Sequence, residues 1–155
     1  MIFKRSCRRW VTGVACLALW LTLGCSKSTG PGDKLNVVTT VGMVADLVRE
    51  VGGDSVKVTQ ICGSGVDPHL YKPTRDDIQL LMDADVIFYC GLKLEGKMAD
   101  TLDGLSSEQP VYAVTDAIDR GVLIGGDSDH ADPHLWNDVA LWGECLTLIR
   151  DRLSE

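Results

Sequence analysis

The chain has 155 residues, enough for a single α/β unit with its own core, and 45% of them are hydrophobic. Fifteen Lys and Arg face 22 Asp and Glu, net −7; the first 24 residues hold four of the basic groups and no acid, leaving 11 against 22, net −11, beyond them. Such a surface repels phosphate backbones and attracts cations, which excludes nucleic acid as a partner.

Lys4, Arg5, Arg8 and Arg9 precede an almost uncharged apolar run from Trp10 to Leu23. This is a signal-peptide pattern, shorter than the roughly 20 apolar residues that a membrane-spanning helix needs. Leu-Thr-Leu-Gly-Cys resembles the bacterial lipobox, which implies lipid attachment at Cys25, although Thr22 stands where Leu is usual. Residues 1–24 are expected to be a lipoprotein signal peptide, with a plain secretory signal or an uncleaved anchor as alternatives. Each of these exports the chain, to a periplasmic or cell-surface location. The small, breaker-rich stretch that follows makes residues 25–34 a flexible tether, and residues 35–155 the folded lobe.

From Leu35 short β-branched runs alternate with helical patterns, the signature of βαβ units and an open parallel sheet flanked by helices. The pattern predicts a strand over 35–41 and a helix over 43–51 that stops at Gly52-Gly53, then a second strand over 56–61. A loop over 63–73 follows. Thr74, with Asp77 three residues on, predicts a capped helix burying Ile78, Leu81 and Met82. The apolar run 86–90 reads as a central strand covered on both faces, and 94–105 as a weak amphipathic segment. Strands are expected over 111–114 and, briefly, over 122–124. After an acidic loop, Asn137 or Asp138 is expected to cap a last helix whose apolar stripe is Val139, Trp142, Leu146, Ile149 and Leu153. Cys62, Cys90 and Cys145 have apolar neighbours and are expected as buried, unpaired thiols rather than metal ligands.

Two loops carry the chemistry. Asp67-Pro68-His69-Leu70 returns as Asp132-Pro133-His134-Leu135, using two of the three histidines and two of the five prolines. Imidazole is the commonest protein ligand for zinc and suits other divalent first-row metals. The proline before each histidine fixes its own φ and restricts the aspartate ahead of it, so the ring is aimed from a held backbone. Asp67 and Asp132 are expected mainly as turn residues, with orientation of an imidazole as the alternative. In open α/β sheets ligands gather beyond the carboxyl ends of the strands, so both loops can bring their imidazoles to one ion. Two ligands are fewer than a zinc site normally takes. His130 is the in-chain candidate for a third, with a solvated loop residue as the preferred reading.

Several segments together carry a resemblance: Val-Val-Thr-Thr-Val-Gly-Met-Val-Ala-Asp-Leu, the loop Gly-Val-Asp-Pro-His-Leu-Tyr-Lys-Pro-Thr, the run Ala-Asp-Val-Ile-Phe-Tyr-Cys-Gly-Leu-Lys-Leu-Glu, and Asp-Pro-His-Leu-Trp-Asn-Asp-Val. With the export signal, they resemble the zinc/manganese-binding lipoproteins of bacterial ABC importers, the TroA-like periplasmic solute-binding proteins. The resemblance implies a single Rossmann-like amino-terminal lobe in which His69 and His134 bind Zn2+ or Mn2+. It also implies an ABC permease as partner, a membrane attachment through Cys25, and no enzymatic activity. A second lobe of such proteins adds a His or Glu and then an Asp to the metal. The chain stops at Glu155, so the carboxy-terminal lobe is expected to be absent from it or separately encoded.

Three functions stand beside one another at this stage. The first is a metal-binding lipoprotein of an importer and the second a decayed lipoprotein fragment that binds nothing. The third is a metallohydrolase using the same histidines, for which no motif supplies a general base. Zinc-specific relatives often carry a His-rich loop, and here that loop contains only His130, so the choice between zinc and manganese stays open.

Overall fold

The computed structural model describes residues 33–126 and 130–155. The expected signal peptide, the tether through residue 32 and the Cys25 lipidation site lie outside the described residues. Four strands form one sheet in the order β2-β1-β3-β4, and every pair is parallel. They are β1 (Leu35–Thr39), β2 (Val56–Gln60), β3 (Val86–Tyr89) and β4 (Val111–Ala113). The helices are α1 (Gly42–Gly52), α2 (Arg75–Met82), α3 (Ala99–Leu105) and α4 (Val139–Leu153).

The two central strands hold the core. Val37 and Val38 of β1 and Ile87 and Phe88 of β3 are 0% exposed, so successive residues are buried on both faces, as parallel sheets require. Register places Val37 opposite Val58 on one side and Val86 on the other. Strand β1 pairs only to Thr39 rather than to Val41, because Val41, still extended at φ −129° and ψ 156°, is already the N-cap of α1. That helix buries Val44, Ala45 and Val48 and ends where the Gly53 N–H returns to the Arg49 carbonyl at φ 50°. Gly52 is fixed by close approach: a Cβ there would stand 2.5 Å from Cγ1 of Val56.

The capping box at α2 forms as its sequence predicts, with Thr74 and Asp77 exchanging hydrogen bonds. Leu81 is fully buried and Ile78 half-buried, but Met82 is 55% exposed. One residue past Leu81 lies about 100° around the helix, beyond the narrow buried stripe of an eight-residue element.

Two further expectations are corrected. Val122–Ile124 is not a strand: Arg120–Val122 forms a short 3-10 turn, and Val122 and Ile124 are 57% and 79% exposed around buried Leu123. A strand beside β4 would need its apolar residues under cover. In α4, Asp138 is the cap, accepting from the N–H groups of Ala140 and Leu141. Of the expected stripe Ile149 is buried and Trp142 and Leu153 pack against the core, joined by buried Cys145 and by Leu141 and Leu148, while Val139 is 85% exposed. The helix packs on α1 and on the turn Val114–Ala117, and those neighbours choose its face. Cys62, Cys90 and Cys145 are buried free thiols, and burial pushes the Cys62 and Cys145 thiols up to about 11 and about 12.

Candidate functional site

The histidine loops leave opposite edges of the sheet. His69 follows β2 and His134 follows β4, the two outer strands, yet Pro133 lies against Cys90 and His69 against Gly96, both just beyond the carboxyl end of central strand β3. This is the position at which the strand order reverses direction, where open α/β sheets form their crevice.

The same local device builds both loops. The Asp67 carboxylate accepts the His69 backbone N–H at 3.0 Å, and Asp132 accepts that of His134 at 3.0 Å. Each is a turn closed two residues on, as a short carboxylate before proline favours. The two aspartates then differ. Oδ1 of Asp132 also meets Nδ1 of His134 at 2.6 Å, whereas no carboxylate touches the His69 ring among the described residues. The His134 donors, backbone first and ring second, hold the Asp132 carboxyl below the usual carboxylate range. A carboxylate at Nδ1 assigns the proton to that nitrogen and leaves the Nε2 lone pair outward.

That outward nitrogen faces the other loop. Nε2 of His69 and Nε2 of His134 stand 3.5 Å apart, with ring centroids separated by 5.4 Å. The gap exceeds the roughly 2.7–3.2 Å of a good N–H hydrogen bond. Trp136 meets the His134 ring edge-on at 5.2 Å and in turn meets Trp142 of α4 at 6.3 Å, so an aromatic chain supports the ring from the helix. His69 is braced differently. Two residues on, the Tyr71 hydroxyl donates to Oδ2 of Asp77 at 2.6 Å, tying the loop to the cap of α2.

His130 is exposed, and among the described residues no group of three or more His, Cys, Asp and Glu is placed to hold an ion. The sequence reading passed over Trp136, Tyr71 and Glu95. Trp136 carried a usable signal, being an aromatic two residues after a candidate ligand. Glu95 carried none of its own: two of its donors are ordinary backbone N–H groups four and five residues before it, and the third, Thr40, is 55 residues away. It is 2% exposed, and burial raises its pKa despite hydrogen bonds from Thr40, Cys90 and Gly91.

The chain is similar to known proteins over most of its length. Residues 37–155 match the ZnuA family model, described as zinc-uptake complex component A, periplasmic. The manganese-binding lipoprotein MntA of Bacillus subtilis is 39% identical over 152 residues, covering 96% of this chain and 50% of that protein. The zinc-binding protein TroA of Treponema pallidum is 36% identical over 161 residues, covering all of this chain and 50% of that protein. The crystallised periplasmic zinc-binding TroA of that organism superposes with a TM-score of 0.74 at 38% identity, over 78% of this chain and 44% of that one. The chain thus spans about half the length of the curated relatives it matches. It belongs to the zinc-uptake complex component A family, whose members are non-enzymatic, metal-binding solute-binding proteins.

Proposed function

We propose that this chain provides one lobe of a solute-binding lipoprotein that captures a divalent transition metal, Zn2+ or Mn2+, for ABC-type import. In this reading His69 and His134 ligate the ion through Nε2, and Asp132 orients His134. The observation that carries it is the 3.5 Å separation of two Nε2 atoms from loops 65 residues apart. Two nitrogens bound to one zinc at about 2.0–2.1 Å with a tetrahedral angle stand about 3.3–3.4 Å apart, so the pair needs almost no movement. The excess of acid over base adds a field that concentrates cations.

The remaining ligands come from a second lobe, as the family resemblance implies, and oxygen ligands there would shift preference toward manganese. The named relatives include both a manganese-binding and a zinc-binding protein, consistent with a choice set outside this pair of imidazoles. The chain is exported, anchored through a lipid on Cys25, and delivers its ion to a membrane permease. Among the described residues no helix is long and apolar enough to cross a membrane.

Calorimetric titration of the chain with Zn2+ and with Mn2+, beside His69→Ala and His134→Ala, tests the assignment. Binding by the parent that either substitution removes is expected. Unchanged binding in either variant refutes the site. One observation favours a second reading, a lobe that binds nothing by itself: the described residues supply no third ligating group beside the histidines. A parent that binds no metal alone, but does so once a second lobe is supplied, selects that reading.

A further inference from the structure

Glu95 lies in a segment that the sequence marks only as weakly amphipathic, yet it is 2% exposed at the carboxyl ends of the two central strands. Its Oε1 accepts from the Thr40 hydroxyl at 2.6 Å and from the Cys90 N–H at 2.7 Å, and its Oε2 accepts from the Gly91 N–H at 3.1 Å. Thr40 follows β1 and Cys90 follows β3, so one carboxylate bridges the pair of strands between which the crevice opens.

The backbone that it holds is unusual. Gly91, Leu92 and Lys93 have φ of 93°, 51° and 64°, three successive left-handed residues of which two carry side chains. Such residues persist only where their surroundings over-determine them. Here the determinants are the Glu95 carboxylate on the Gly91 N–H, the Leu94 N–H to Gly91 carbonyl bond of 3.0 Å, and the complete burial of Leu94.

This turn touches both histidine loops. Gly96, adjacent to Glu95, lies so close to the loop before α2 that a Cβ would stand 2.9 Å from the His69 carbonyl oxygen. On the other side the Cys90 thiol donates to the Pro133 carbonyl at 3.7 Å, one residue before His134. The two loops have separate local turns, and nothing in either turn sets the distance to the other. The shared element beneath them is the turn clamped by Glu95.

We propose that Glu95 is a positioning residue for the His69 and His134 pair, acting through Gly96 on one loop and Cys90 on the other. Its importance for metal binding rests on the proposed function, but the juxtaposition of the rings does not, and the two are measured separately. Glu95→Gln retains size and faces its amide nitrogen or oxygen toward donors that want only acceptors, so the clamp loosens. Gly96→Ala is the sharper probe. Gly96 is exposed and outside the left-handed region, and the tight contact of an added methyl is with the His69 carbonyl alone.

The experiment uses the full chain. In the metal-free protein, the nuclear Overhauser effect between the ring protons of His69 and His134 reports their proximity. In the presence of Co2+, titration and the visible absorption bands report affinity and coordination geometry. The expected result is a lost or weakened ring-to-ring effect in both variants and an affinity for Co2+ reduced about tenfold or more, the scale of losses around metal ligands. Gly96→Ala should do this while remaining folded, with a lowered unfolding midpoint because the methyl meets backbone. If the parent alone fails to bind Co2+, metal capture by this lobe without its second lobe is refuted, while the ring-to-ring effect still tests Glu95. A folded Glu95→Gln protein that keeps the parent's ring-to-ring effect overturns the proposal, and a Gly96→Ala protein that keeps it overturns the route through Gly96.

Discussion

The two aspartates of the repeated loop should not be equivalent, although the sequence makes them look so. Asp132 holds both the His134 backbone N–H at 3.0 Å and its Nδ1 at 2.6 Å, whereas Asp67 holds only the backbone N–H of His69 at 3.0 Å. Asp132→Ala therefore releases the ring to rotate and to exchange tautomers, while Asp67→Ala removes a turn hydrogen bond that Pro68 partly replaces by restricting the backbone. Loss of a carboxylate behind a metal-binding histidine costs about 10–100-fold in affinity. Loss of one neutral-donor hydrogen bond at an exposed turn costs about 0.5–1 kcal/mol, a few-fold. Calorimetric competition against a chelator, with His134→Ala as the null-binding control, measures the difference. Asp132→Asn separates charge from geometry, since its amide oxygen can still accept from Nδ1. Equal losses at the two aspartates would refute the reasoning, as would an Asp132→Ala protein with the parent's affinity.

Further outcomes follow from the fold. The Glu95 carboxyl titrates above its ordinary range because it is buried, so the folded state binds its proton more tightly than the unfolded state does. Its stabilising contribution is complete below the unfolded carboxylate value and is lost as pH rises to the raised folded value. Chemical denaturation across that window should show the parent losing stability relative to Glu95→Gln; a difference independent of pH contradicts the burial argument. Gly52→Ala forces a Cβ to within 2.5 Å of the buried, β-branched Val56 and should cost about 1–3 kcal/mol in urea unfolding. Tyr71→Phe removes one of the hydrogen bonds at Asp77 that fasten the His69 loop to α2 and should cost about 1 kcal/mol. In the parent, hydrogen bonding to Asp77 pushes the Tyr71 phenol up to about 12, so ultraviolet titration should lose a late-ionising tyrosine in Tyr71→Phe.

What the sequence determined by itself was local or periodic. The uninterrupted apolar run of β3 is the mark of a strand covered on both faces, and its residues Val86, Ile87 and Phe88 are buried. The Thr74–Asp77 box and the Asp-Pro-His turns close within three residues, so their partners are written beside them. Those turns also named His69 and His134 as the residues to watch. Tertiary structure decided what depends on distant neighbours. The stripe of α4 took in Cys145 beside Ile149 because α1 and the Val114–Ala117 turn cover that side. Val122 and Ile124, β-branched and plausible as a strand, found no edge to pair with. Glu95, which the weak pattern of 94–105 does not single out, is buried where Thr40, 55 residues away, and the amides after β3 meet it. The 3.5 Å between the imidazoles is of the same kind. It is set by strand order, which brings loops from the two edges of the sheet together beyond the carboxyl end of β3, and no local pattern encodes that meeting.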